Sequence, residues 1–166
     1  MFELHHLTAQ EQWDWLQRRE ITPSELVQHY LSRIDRLDGE LGAFVTVTAD
    51  AALERARTLG EEGPGSAPLW GLPFADKDLT LRAGVPAKFG SWLMADFVPE
   101  VSDELVSVLD AAGGISLGKT NAPEFGLPSY TESLVAPPAR TPYDLALGAG
   151  GSSGGAAVAV AAGLLP

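Results

Sequence analysis

Apolar runs too short to be anything but strands alternate along this chain with segments that open on helix-start signatures. That alternation constrains the fold more than any other feature. Thr8 begins a T-x-x-E pattern with Glu11, in which a hydroxyl and a carboxylate satisfy the free N–H groups of a first helical turn. Trp13 and Leu16 follow. Thr22-Pro23-Ser24-Glu25 is a stronger start, with an N-cap, a proline where its missing N–H costs nothing, and a capping-box glutamate. Leu26, Val27, Tyr30, Leu31, Ile34 and Leu37 then share one helical face, and Asp38-Gly39 is read as the end of that helix. Phe44-Val45-Thr46-Val47 reads as a short strand. A helix over residues 50–59 comes next, stopped by Gly60, and residues 61–68 form a loop by composition. Phe74-Ala-Asp-Lys-Asp78 is strand-like. Ser102 is read as the cap of a helix holding Leu105, Val106, Val108 and Leu109, with Gly113-Gly114 as its stop. Residues 115–117 read as a buried strand and Asn121-Ala-Pro-Glu124 as a further capped helix start. Residues 131–147 are mostly irregular. The run Gly148-Ala-Gly-Gly-Ser-Ser-Gly-Gly155 turns into a small-residue helix over 156–162. Helices alternating with short strands predict an α/β fold with a mixed, partly parallel sheet covered by helices.

Composition narrows the function. The chain has 11 Lys+Arg against 22 Asp+Glu, a formal net charge of −11. Such a balance argues against nucleic acid, which needs a concentrated basic surface, and against docking on an anionic membrane leaflet. No apolar run reaches the ~18 residues of a bilayer span, and the opening MFELHHLTAQEQ lacks the basic-then-apolar order of a secretory signal. A cytoplasmic location is expected. Cysteine is absent, which excludes disulfides, Fe–S clusters and thiolate zinc sites. The sequence closes on Leu165 and Pro166 beside an apolar segment with no polar tail, so a fragment of a larger domain is expected.

Three patterns could carry chemistry. Gly113-Gly-Ile-Ser-Leu-Gly118-Lys119-Thr120 matches the phosphate-binding pattern G-x-x-x-x-G-K-[ST]. Its context is wrong, because a helix precedes Gly113, the strand lies inside the motif and Pro123 follows at once. Gly151-Ser152-Ser153-Gly154-Gly155 fits G-x-S-x-G with Ser153 at its centre. The segment before it is a poor strand, and His5, His6 and His29 all lie upstream, so a serine–histidine hydrolase in that chain order cannot be assembled. A glycine-rich turn chosen for close packing is the plainer reading. Lys77, finally, sits in an apolar-flanked strand. It is either an edge-strand lysine pointing to water or an inward-facing amine. In the second case Asp76 and Asp78 fall on the opposite face, away from an ammonium that a nearby carboxylate would hold protonated.

Four blocks, taken together, resemble the amidase-signature family: Gly71-Leu-Pro-Phe-Ala-Asp-Lys77-Asp78; Leu117-Gly-Lys-Thr-Asn121-Ala-Pro-Glu-Phe125-Gly; Arg140-Thr-Pro-Tyr-Asp144; and Gly150-Gly-Ser152-Ser153-Gly-Gly155. Their order and separations are similar to that family from about Ile21 to Pro166. The resemblance implies the N-terminal part of a single amidase-signature domain over residues 1–166, with its C-terminal part absent. It also implies hydrolysis of a carboxylic amide by a serine–serine–lysine triad without metal or organic cofactor. Carried over, Lys77 is the general base and Ser152 the bridging serine. The Gly151–Ser152 peptide is cis, Ser153 supports the network, and Phe125, Gly126 and Leu127 line the acyl pocket of a small-molecule amide. The lysine pKa must fall from about 10.4 towards neutrality, and burial in an apolar strand can lower it.

One departure matters. The family's nucleophilic serine stands roughly two dozen residues beyond the bridging serine, whereas this chain runs only 14 residues past Ser152. The chain alone is therefore expected to be inactive, and to self-associate through apolar surface that the rest of the domain would cover. Two alternatives stand beside a stand-alone amidase for linear amides. One is the amidase subunit of a glutamine-dependent tRNA amidotransferase; the other is a non-catalytic interaction fragment.

Overall fold

Both threonine starts form as reciprocal capping boxes. Thr8 Oγ1 accepts from the Glu11 N–H at 3.2 Å while the Glu11 carboxylate accepts from the Thr8 N–H at 2.8 Å, and Thr22 and Glu25 repeat the arrangement. The computed structural model describes residues 3–64 and 66–166. Met1, Phe2 and Gly65, the last within the predicted 61–68 loop, lie outside the described residues. The elements are α1 (Ala9–Gln17), α2 (Pro23–Leu41), β1 (Phe44–Val47), α3 (Ala49–Glu62), β2 (Pro73–Lys77), α4 (Glu104–Ala111), β3 (Ile115–Thr120) and α5 (Gly154–Ala161), with short 3-10 turns at Leu4–His6, Trp92–Met94 and Glu124–Gly126.

Helix starts follow the sequence reading more closely than helix ends. α2 runs through Gly39 and stops at Gly42, which takes φ +62°. The Asp38 carboxylate, one turn earlier, accepts from the N–H groups of Ala43 and Phe44 at 2.7 and 3.1 Å, so it ties down the chain leaving the helix. α3 likewise passes Gly60 and ends before Gly63, at φ +81°. Arg57 bridges Glu54 and Glu61 along its last turns, the spacing at which helical side chains support one another. The expected Ser102 cap is displaced to Asp103. Both residues turn back on the preceding segment, Asp103 Oδ2 accepting from the Leu81 N–H at 2.8 Å and Ser102 Oγ from the Ala83 N–H at 2.9 Å. Asn121 opens no helix beyond the 3-10 turn. Its buried side chain is spent on distant carbonyls, donating to Gly42 O at 3.0 Å and Pro137 O at 2.8 Å.

The three strands form one sheet in the order β1-β3-β2, with β3 antiparallel to β1 and parallel to β2. The sheet is therefore mixed and the fold α/β, as read from the sequence. The amphipathic face of α2 buries Leu26, Val27, Tyr30, Leu31 and Ile34 in a core shared with Ile115 and Leu117 of β3 and Val158 and Ala159 of α5. β3 continues through Thr120, three residues beyond its predicted end, so Gly118-Lys119-Thr120 is extended strand and not a phosphate loop. Trp92, Leu93, Val101, Leu127, Leu134 and Tyr143 are exposed. Among the described residues no helix is long and apolar enough to cross a membrane.

The three histidines gather at the N-terminal edge. His5 Nδ1 lies 3.1 Å from His29 Nε2, and the His5 and His6 rings are 4.3 Å apart. Arg33 beside them caps α5, donating to Gly163 O at 2.7 Å and Ala162 O at 2.9 Å. Burial, followed by the Arg33 guanidinium, lowers the pKa of both His5 and His29, against the opposing pull of Glu3. Between those lowered values and the ordinary 6.5 the unfolded chain binds more protons, so stability rises with pH across that window and is lost on acidification. Thermal melts should show a larger fall in Tm between about pH 7 and about pH 5 for the wild type than for a His5→Asn/His29→Asn variant.

Candidate functional site

Lys77 is the last residue of β2, in register with Thr120 at the end of parallel β3. The carboxyl ends of parallel strands are where open α/β sheets take their ligands, and here the chain places the glycine–serine turn and the first residues of α5. The Gly155 N–H donates to Asn121 O at 3.1 Å, which fixes α5 to the residue following β3. Gly154 and Gly155 make the approach possible. A Cβ on either would fall 2.4 Å from an atom of Thr131 or Asn121. The Gly151–Ser152 peptide is cis.

This packing brings Lys77 against two adjacent serines that are far from it in sequence. Lys77 Nζ lies 2.8 Å from Ser152 Oγ and 3.0 Å from Ser153 Oγ. The two acidic neighbours of Lys77 are engaged elsewhere, as the strand alternation requires. Asp76 Oδ2 accepts from Arg82 Nε at 2.6 Å, and Asp110 holds the other side of that guanidinium. Asp78 Oδ1 accepts from the Lys88 N–H at 3.2 Å. Burial lowers the Lys77 pKa. The enclosure differs from the expected one. Lys77 is only half-buried and Ser153 is exposed, because the amine stands at the open end of β2 and not within the strand's covered length. A lysine amine held against two hydroxyls, its flanking carboxylates turned to other partners, can pass protons to and from those hydroxyls.

Phe125 and Gly126 lie on the 3-10 turn and Leu127 caps its end, with Phe125 at φ +50° and Gly126 at φ +71°. The turn is docked by the Phe125 N–H on Phe89 O at 2.8 Å and by Ser91 Oγ on Glu124 at 2.6 Å. Gly126 rests against Leu79, where a Cβ would approach to 2.6 Å. The turn is thus fixed beside the residues that follow Lys77. Phe125 and Leu127 are themselves 47% and 85% exposed.

Lys119 escaped the sequence reading. Its side chain is fully buried, with the amine donating to Thr80 O and facing Asp78 and Asp76. Asp78 is buried as well, and its Oδ2 has no hydrogen-bond partner. The clue was a second lysine in an apolar strand, masked by the phosphate-loop pattern around it.

A family model described as Amidase matches residues 25–166. The chain belongs to the amidase-signature family. One curated relative, the A subunit of glutamyl-tRNA(Gln) amidotransferase from Nitratidesulfovibrio vulgaris (strain DP4), is 43% identical over 164 residues, covering 98% of this chain and 34% of the relative. Among solved structures, a bacterial aryl acylamidase of the amidase-signature family superposes with a TM-score of 0.90 at 31% identity, over 96% of this chain and 34% of that one. The A subunit of the Thermotoga maritima glutamyl-tRNA(Gln) amidotransferase gives 0.79 at 31% identity, over 99% and 34%. This amidase-signature chain therefore spans about a third of the length of the relatives it matches.

Proposed function

We propose that residues 1–166 are the N-terminal part of one amidase-signature domain and supply two members of a Ser–cis-Ser–Lys centre that hydrolyses a carboxylic amide. The observation that carries this reading is the contact of Lys77 Nζ with both Ser152 Oγ and Ser153 Oγ. Neutral Lys77 takes the proton of Ser152 as Ser152 takes that of the nucleophilic hydroxyl, which lies on a segment beyond these residues. The nucleophile's oxygen bonds to the amide carbonyl carbon. The C–N bond then breaks as the returning proton goes to the leaving amine, and water releases the acid from the acyl-enzyme. Ser153 holds the amine in line, and the turn carrying Phe125, Gly126 and Leu127 borders the acyl side.

In the protein that carries the nucleophile, Lys77→Ala should lower kcat/KM by about 10²–10⁴-fold, the value of a positioned general base. The 166-residue chain alone should hydrolyse neither aryl amides nor glutamine. A variant rate equal to the wild type would remove Lys77 from the mechanism. Lys77-dependent turnover by the chain alone would show that the nucleophile is already present.

A second reading narrows the substrate to glutamine, with the ammonia passed to a partner protein. It is favoured by the 43% identity to a glutamyl-tRNA(Gln) amidotransferase over nearly the whole chain. A closer superposition on the aryl acylamidase supports a stand-alone hydrolase instead. Glutaminase activity that rises when a partner protein is added would decide for the amidotransferase.

A further inference from the structure

The serine turn is gripped by one side chain outside it. Thr131 is 1% exposed. Its Oγ1 donates to Gly150 O at 2.8 Å and accepts from the Gly154 N–H at 3.2 Å. Those two groups flank the peptide units carrying Gly151, Ser152 and Ser153, so a single hydroxyl pins both ends of the turn. Only a hydroxyl can do this at one atom, because the site needs a donor and an acceptor in the same place. The segment bearing Thr131 is itself fixed. The Ala139 N–H donates to Thr131 O at 2.9 Å, and Ser133 Oγ donates to Asn121 Oδ1 at 3.2 Å. It also lies hard against the turn, since a Cβ on Gly151 would stand 3.0 Å from Tyr130 N.

We propose that Thr131 is a positioning residue that sets the register of Ser152 and Ser153 against the Lys77 amine. The proposal rests on the reading of Lys77 and Ser152 given above, and adds the group that keeps them aligned. Without the clamp the turn loses both anchors, the two hydroxyls leave the amine, and the amine becomes free to react.

The sequence holds three lysines, Lys77, Lys88 and Lys119, which makes trace acetylation with acetic anhydride, followed by peptide mass mapping, a clean readout. Lys88 on its loop is the reference, and fully buried Lys119 reports any general loosening. Thr131→Val keeps the shape and removes both hydrogen bonds. It should raise the Lys77 rate about fivefold, the worth of about one net hydrogen bond, with Lys119 unchanged. Thr131→Ser, which restores the hydroxyl, should return the Lys77 rate to that of the wild type. Where Thr131→Val does not fold, Gly154→Ala supplies the test from the other side, because its Cβ would displace Thr131 Oγ1. An unchanged Lys77 rate, or Lys77 and Lys119 rising together, would overturn the proposal. Failure of the catalytic reading would show separately, as turnover indifferent to Lys77→Ala with these labelling differences intact.

Discussion

Gly155→Ala should destabilise the chain by about 3 kcal/mol or more, at the upper end of what overpacking costs. The new methyl would meet Asn121 N at 2.4 Å, Ala43 O at 2.5 Å and Asn121 O at 2.6 Å. All three are backbone atoms with no rotamer to move. They also belong to a hydrogen-bonded stack, since the Asn121 N–H donates to Ala43 O at 2.8 Å and the Gly155 N–H to Asn121 O at 3.1 Å. Relief requires α5 to back away from the end of β3, which would carry Ser152 away from Lys77 as well. Urea unfolding monitored by circular dichroism measures the shift. Gly39→Ala is the opposing control. Gly39 lies inside α2 with nothing within 4 Å of its Cβ position, and the change should stabilise by about 0.5–1 kcal/mol. Equal effects at the two positions would contradict the packing described for α5.

Lys119→Met should cost about 3–5 kcal/mol, the usual result of removing one partner of a buried charge arrangement. Methionine fills much of the same volume, so the loss is chiefly electrostatic. Asp76 keeps Arg82, but Asp78 would remain as a buried carboxylate whose Oδ2 is already without a hydrogen bond. Burial holds the Asp78 pKa above its ordinary 3.8 while the Lys119 charge opposes that rise. Without Lys119 it stands higher still. Between the unfolded and the raised folded value the folded chain binds more protons, so stability falls as pH rises through that window. The deficit of Lys119→Met should accordingly be largest near neutrality and shrink in acid. Adding Asp78→Asn should recover part of it, and the coupling of the two changes is read from a double-mutant cycle. A pH-independent deficit would assign the loss to packing alone.

What could be read from the residues divides along the range of the forces involved. The starts of α1 and α2 were legible because a capping box closes within four residues. The end of α2 was not. At Gly42 the chain takes left-handed backbone, and the 137–138 carbonyl groups, 2.5–2.9 Å from where its Cβ would stand, leave room for glycine alone. Nothing local separates Gly42 from Gly39, whereas Gly63 differs from Gly60 in being followed by Pro64, which cannot continue a helix. Lys77 could be picked out because a lysine in an apolar-flanked strand is unusual, and strand alternation turns Asp76 and Asp78 away from it. The incomplete cover over its amine could not, because that depends on where β2 ends within the tertiary fold. Asn121 was read as a helix cap and Thr131 was not singled out, for a related reason. Asn121 bonds across 79 residues to Gly42 and Thr131 across 19 to Gly150, so no local pattern marks either as structural.

The strand order has a consequence for synthesis. β3, the partner of both β1 and β2, is made last of the three. Until the ribosome has delivered residues 115–120, the two earlier strands have no edge to join. Lys77 waits a further stretch, to a serine 75 positions downstream of it. Contacts of such long sequence separation form slowly and leave sticky intermediates. A nascent chain stalled before β3 would therefore carry two orphan strands and an idle amine, a form suited to capture by a chaperone.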